Sequence, residues 1–257
     1  MIEEALICEC EERLKDKFAR LEKISLFNTE KVLNAFKKNK LALRHFNPTT
    51  GYGYGDEGRD TLNAVLADIF GAEAAGMSPN IVSGTHAISL CLYGILRPND
   101  TFVSITGEPY DTLSGVIRGE NDGSLKDFGI HFDVIALKNN AIDLDAVKKY
   151  LSEHKPKMVF MQRSRGYEWR PALTIDDIEK AVRLVRSCGF DGCIFMDNCY
   201  GEFVETKEPT EVGVDLAAGS AIKNIGGGVV PTGGYVVGAE KYVKLAQNRL
   251  TAPSIGG

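Results

Sequence analysis

Long apolar runs are missing from this 257-residue chain, and with them any stretch of the length a membrane span requires. Positive charge is in deficit. The 30 lysines and arginines against 35 acids give a net charge of −5, whereas a nucleic-acid binder usually presents a basic face. No two cysteines have C-x-x-C spacing. Cys91, Cys193 and Cys199 stand in or beside apolar segments, so reduced, mostly buried thiols are expected. The four histidines, His45, His86, His131 and His154, are scattered without ligand spacing, so no metal site is expected. Met1-Ile2-Glu3-Glu4 shows no basic region ahead of an apolar core, so no secretory signal is read and the expected location is the cytoplasm. Neither an internal repeat nor a low-complexity linker is visible. What remains, 44% hydrophobic and 25% charged residues, is the composition of an ordinary globular protein.

Within that chain, strand-like and helix-like segments alternate. Residues 1–24 carry intermittent apolar positions, Leu6, Leu14, Phe18 and Leu21, and predict an amphipathic helix. Asn28-Thr29-Glu30 predicts the start of a second helix to about Lys40. Leu62, Val65, Leu66, Ile69 and Phe70 recur at helical spacing, with Gly71 as the stop. Helices are also expected from Ala87 to Leu96, from Asp143 to His154, from the capping box Thr174-x-x-Asp177 to Gly189, and over 239–249. Strands are expected at Thr101–Ile105, Phe132–Leu137, Lys157–Gln162, 193–197, 214–218 and 233–237, while Ile81-Val82 is too short for one. The alternation predicts a three-layer α/β/α domain around a mostly parallel sheet, with ligands at the C-terminal strand ends.

Two such strand ends carry chemistry. Cys193-Ile194-Phe195-Met196 ends in Asp197, and Val214–Ala218 leads through Gly219-Ser220-Ala221-Ile222 to Lys223, with Gly226-Gly227-Gly228 beyond. An acid near a core is costly unless paired, although an aspartate capping the following turn is common. A lysine between an apolar strand and a glycine cluster is expected in a buried loop. Such a pair suits pyridoxal 5'-phosphate (PLP): a lysine holds the cofactor as a Schiff base, and an acid keeps the pyridinium nitrogen protonated. Gly53-Tyr54-Gly55-Asp56-Glu57-Gly58 fits G-x-G-x-x-G literally. The preceding Arg44–Thr50 is not strand-like, so a dinucleotide site is rejected.

The segments Gly51–Leu62, Ile81-Val82-Ser83-Gly84-Thr85-His86-Ala87, Gln162–Tyr167 and Asp197–Lys223, in that order and spacing, resemble the fold-type I PLP enzymes of the cystathionine/methionine gamma-lyase-like group. The match is nearest to the branch known as aluminium-resistance proteins, and it runs from about Phe36 to the end. The resemblance implies Lys223 as the cofactor-bearing lysine and proton shuttle, and Asp197 as partner of the ring nitrogen. Tyr200, at a D-x-x-Y spacing that resembles aminotransferases, is a candidate to reach the cofactor's 3-oxygen, with a half-buried aromatic as the alternative. The resemblance places Ser220 in the phosphate cup, where Ile222 stands in place of the family's further hydroxyl. Ser83, Gly84 and Thr85 precede a helix whose N-terminus suits a phosphate, and an ordinary N-cap is the alternative. His86 and Tyr110 are rival candidates for the aromatic stacked on the ring, with Tyr110 favoured and catalytic. Gln162, Arg163 and Arg165 are placed to reach cofactor or substrate carboxylate.

The resemblance further implies a homodimer or homotetramer with a shared active site. Tyr54 and Arg59 would then serve the neighbouring subunit's phosphate, and the N-terminal helices would pack on the partner. The expected organisation is an N-terminal helical segment, 1–45, and a PLP-binding large domain, 46–257. The small C-terminal domain that carries a carboxylate-binding arginine in the family is not in this sequence. The leading expectation is a PLP-dependent lyase on a small sulfur-containing amino acid, with no nucleic acid and no membrane. The alternative is a non-catalytic PLP-fold protein whose role is assembly.

Overall fold

Seven strands form one sheet in the computed structural model, which describes residues 4–50 and 55–256. The strands are β1 (Ala74–Ser78), β2 (Thr101–Ser104), β3 (His131–Val134), β4 (Met158–Gln162), β5 (Cys193–Asp197), β6 (Leu216–Ser220) and β7 (Gly234–Gly238). Their order across the sheet is β1-β7-β6-β5-β4-β2-β3. The β3–β2, β2–β4, β4–β5 and β5–β6 pairs are parallel, and β7 runs antiparallel to both β6 and β1.

Period-two alternation divides the core between the two faces of this sheet. Val159, Met161, Ile194 and Met196 pack on one side against α2 (Glu57–Phe70), α5 (Leu144–Glu153) and α6 (Ile175–Ser187). Met158, Phe160, Cys193 and Phe195 pack on the other against α3 (Gly84–Ile95), α4 (Thr112–Arg118) and α7 (Glu240–Leu250). The continuous burial of β4, β5, β6 and β7 is what their unbroken apolar sequences require. Helix ends follow the caps read from sequence. Asp143 accepts from the Ala146 N–H, Thr174 and Asp177 close a capping box, and Gly71 ends α2 in the left-handed conformation.

Three expectations change. The two N-terminal helices are one, α1 (Glu4–Lys38), of 35 residues. Asn28 does not start a helix; its side-chain amide donates to the carbonyls of Phe203 (3.0 Å) and Glu205 (3.1 Å). Thr29 turns its hydroxyl back to the Ser25 carbonyl, which leaves the helix intact. Strand β1 and helix α4 were not foreseen, because Ala-Ala-Gly-Met-Ser has no β-branched residue and α4 has only two turns. Strand β6 starts two residues later than expected, which brings its end to Ser220. All six cysteines are free, with Cys91, Cys193 and Cys199 buried. Among the described residues no helix is long and apolar enough to cross a membrane.

Candidate active site

The register of the sheet sets the floor of the site. Gln162 ends β4 directly beside Asp197 at the end of β5, and Ser220 ends β6 next door. A cavity of about 1150 Å³ opens above these ends. Asp197, Ser220 and Lys223 line it, together with Ser83, Gly84 and Thr85 at the start of α3. The acid and the lysine therefore share one compartment.

Asp197 is buried, and its Oδ1 accepts from the Cys199 N–H at 3.0 Å. Burial pushes its carboxyl above the usual aspartate range, while the Cys199 hydrogen bonds and the Lys223 charge oppose that shift. A buried carboxyl in this state favours any cation brought against it. Lys223 is half-buried, in a loop that is more exposed than its glycines suggested: Ile222 is 52% and Val229 85% exposed. Its ammonium lies 4.0 Å from the centroid of the Tyr200 ring, a cation–π contact. Tyr200 adopts a left-handed φ of 67°, and Asn224 ties the two segments by donating to the carbonyls of Tyr200 and Glu202.

The start of α3 meets the same floor. Ser83 is the N-cap, its hydroxyl accepting from the His86 N–H at 3.1 Å. The first N–H groups of the helix, on Gly84 and Thr85, have no intrahelical acceptor. The Thr85 and Thr112 hydroxyls lie 3.0 Å apart, and Ser220 adds a third. Gly84 is required by close approach, since a Cβ there would stand 2.9 Å from the Cys199 sulfur and 3.2 Å from the Ser220 Cβ. Gly84→Ala is therefore expected to push α3 off the β5–β6 ends and to destabilise the protein by about 1–3 kcal/mol, measured by urea unfolding. Unchanged stability would mean that this junction gives way without cost.

Other candidates are placed differently. The His86 imidazole accepts from the Val82 N–H at 3.3 Å and lines another cavity with Arg97 and Arg249, not the one bordered by Lys223. Tyr110 does line the site. Gln162 is not a cavity residue; its Oε1 accepts from the Tyr110 N–H at 2.6 Å, so it positions Tyr110 instead. The Tyr110 hydroxyl donates to that of Tyr167 at 3.1 Å, which pushes the Tyr110 phenol up to about 12. Arg163 borders the cavity but is already bonded to Asn198 (3.1 Å), the Gly201 carbonyl (2.7 Å) and Glu205 (2.8 Å). Arg59 lies in a second cavity, of about 780 Å³, with Asp56 and His45. Tyr54 lies outside the described residues.

Sequence reasoning missed Thr112, Cys199 and Tyr167, and it missed the stripe of α1, from Lys17 to Ile24, that borders the cavity. The helical periodicity of that stripe was legible, but its destination depends on tertiary contacts. The donor set fits PLP. It offers an amine for the aldehyde carbon, a buried carboxyl for the ring nitrogen, and hydroxyls with helix N–H groups for a phosphate.

Known proteins resemble this chain in sequence and in fold. A protein of Bacillus subtilis, YnbB, uncharacterised in function, is 50% identical over 241 residues, covering 92% of this chain and 57% of its own. A Listeria innocua structure provisionally named a cystathionine beta-lyase involved in aluminium resistance superposes with a TM-score of 0.95 at 52% identity. It covers 100% of this chain and 64% of its own. A Listeria monocytogenes structure with the same provisional name gives 0.95 at 48% identity, over 99% of this chain and 63% of its own. The chain thus spans somewhat under two thirds of these relatives. The family description for methionine gamma-lyase matches residues 3–257, and the chain belongs to that family, with the PLP-dependent transferase fold.

Proposed function

We propose that this chain is the cofactor-binding part of a PLP-dependent carbon–sulfur lyase, acting on a sulfur-containing amino acid by β- or γ-elimination. The observation that carries the reading is the convergence of Lys223, Asp197 and the α3 N-terminus on one cavity. PLP, when bound, supplies an electron sink for the pair released at the substrate Cα. The Lys223 amine holds the cofactor and, once displaced by substrate, takes the Cα proton. The Asp197 carboxylate holds the ring nitrogen protonated. Gly84 and Thr85 N–H groups with the Thr85 and Ser220 hydroxyls hold the phosphate. Tyr110, fixed by Gln162, offers a ring to stack on and a phenol at the mouth. The reading extends to a homodimer or homotetramer in which Tyr54 and Arg59 of one copy complete a neighbour's site.

Adding PLP is expected to give a visible absorption band that borohydride removes, leaving a covalent mass increase on the peptide containing Lys223. Lys223→Ala gives neither. Cystathionine, cysteine or methionine should then release a keto acid. A protein that stays colourless with PLP rules the reading out. A band without keto-acid release supports the assembly role instead.

A further inference from the structure

The cavity is cationic although the chain is acidic. Six basic residues border it, Lys17, Arg20, Arg163, Arg165, Arg170 and Lys223, against two acids, Asp197 and Glu205. Arg163 is neutralised by Glu205, and Arg170 by Glu168 at 2.7 Å. Lys223 and Asp197 are committed to the cofactor on the reading above. Arg165 sits over the Trp169 ring, 6.0 Å from its centroid, and is available to a substrate α-carboxylate. Lys17 and Arg20 are then in excess.

Their placement is fixed by the fold. Lys17, Arg20, Leu21 and Ile24 all border the cavity, and their spacing puts them on one stripe of α1. One turn further on, Asn28 anchors the helix to the carbonyls of Phe203 and Glu205. Lys31 adds bonds to the Thr206 carbonyl (2.8 Å) and to Glu211 (3.0 Å). These bonds hold α1 against the segment that follows Asp197. Other cations on the first half of α1 are spent on the helix itself, Arg13 on Glu9 and Lys15 on Glu12. Among the described residues, neither Lys17 nor Arg20 has a carboxylate partner.

We propose that Lys17 and Arg20 form a subsite for a second anionic group of the substrate, a carboxylate carried on the portion that leaves with the sulfur. The apolar Leu21 and Ile24 beside them suit the methylene chain between sulfur and carboxylate. The proposal takes the word substrate from the elimination reading, but the subsite itself is testable without chemistry. Two thioether acids that lack an α-amino group cannot react: 3-(carboxymethylthio)propionate, with two carboxylates, and 3-(ethylthio)propionate, with one. Calorimetric titration into the PLP-supplemented protein is expected to show the dicarboxylate bound about tenfold more tightly, the contribution of one charge-assisted hydrogen bond. The Lys17→Gln/Arg20→Gln double variant should reduce that ratio to about one, and Arg20→Glu should invert it.

Both positions are exposed on a helix that tolerates glutamine, so the fold is not at risk. Equal binding of the two acids by the unaltered protein, or a preference that survives in the double variant, overturns the subsite. In turnover, the double variant should raise KM for S-carboxymethylcysteine and leave S-ethylcysteine unchanged, with kcat the same for both. Failure to release keto acid from either amino acid, with the binding preference intact, would remove the lyase reading and leave the subsite standing.

Discussion

Arg163→Met is expected to destabilise the protein by about 3–5 kcal/mol at pH 7.5, the cost of removing one partner from a buried ion pair. Arg163 is 2% exposed and sits among Asn198, Glu205 and Glu208. It is the guanidinium that neutralises the segment after β5. Without it, Glu205 loses its 2.8 Å partner and the Gly201 carbonyl loses its donor. Glu208, fully buried with a carboxyl pushed up to about 7 by burial, loses one of the two cations, Arg163 and Lys31, that oppose that shift. Methionine fills the volume, so the loss reads the stranded charge more than a void. Arg163→Lys keeps the charge but not the fork, and should fall in between. The deficit should shrink at pH 5.5, where Glu208 is protonated and no longer stranded. A urea midpoint that moves by less than about 1 kcal/mol, equally at both pH values, would refute this account. The consequence for the site is direct, because the loosened segment carries Tyr200, the ring over the Lys223 amine.

How much of this was legible follows from range of interaction. Asp197 and Lys223 could be paired from sequence because each follows an apolar run, and sheet topology brings neighbouring strand ends together whatever the details. The caps at Asp143 and Thr174 are local hydrogen bonds and are legible as helix starts, while Ser83, offered as a phosphate ligand with a cap as the alternative, does cap α3. Arg163 was assigned to a ligand because its partners, Asn198 and Glu205, lie on another strand's exit loop. Asn28 was read as a cap because its true acceptors, the Phe203 and Glu205 carbonyls, are 175 and 177 positions away. One signal for the buried network did exist. Glu202, Glu205 and Glu208 follow a buried strand that is apolar up to Asp197, and so many carboxyls beside a core need a cation. β1 left no signal: its residues are small, and its place is set by antiparallel pairing with β7.

Glu202→Gln should stabilise the protein at pH 8 by about 1–3 kcal/mol and flatten its pH dependence. Glu202 is 1% exposed, with Oε1 accepting from the Tyr235 hydroxyl at 2.7 Å and Oε2 without a partner. Burial, reinforced by Glu208 and Asp197, pushes its carboxyl from 4.5 up to about 7 against the Tyr235 hydrogen bond. A carboxyl raised on folding binds its proton more tightly in the folded state. Its contribution is complete below about pH 4.5 and is lost as pH climbs through 7. Stability of the unaltered protein should therefore fall between pH 5 and 8, with Glu208 adding to the slope in the same direction. Glutamine keeps an acceptor for Tyr235 and can never ionise, so the variant sheds one proton's worth of that slope. It also removes a negative neighbour from Asp197, which favours the ionised form of that acid. Urea midpoints across the pH series decide the matter: a variant less stable than its parent at pH 8, or with the same slope, would show that Glu202 stays charged and satisfied in its pocket. If the slope flattens, Asp197 at the end of β5 has beside it a second, proton-bearing carboxyl whose charge acts on it.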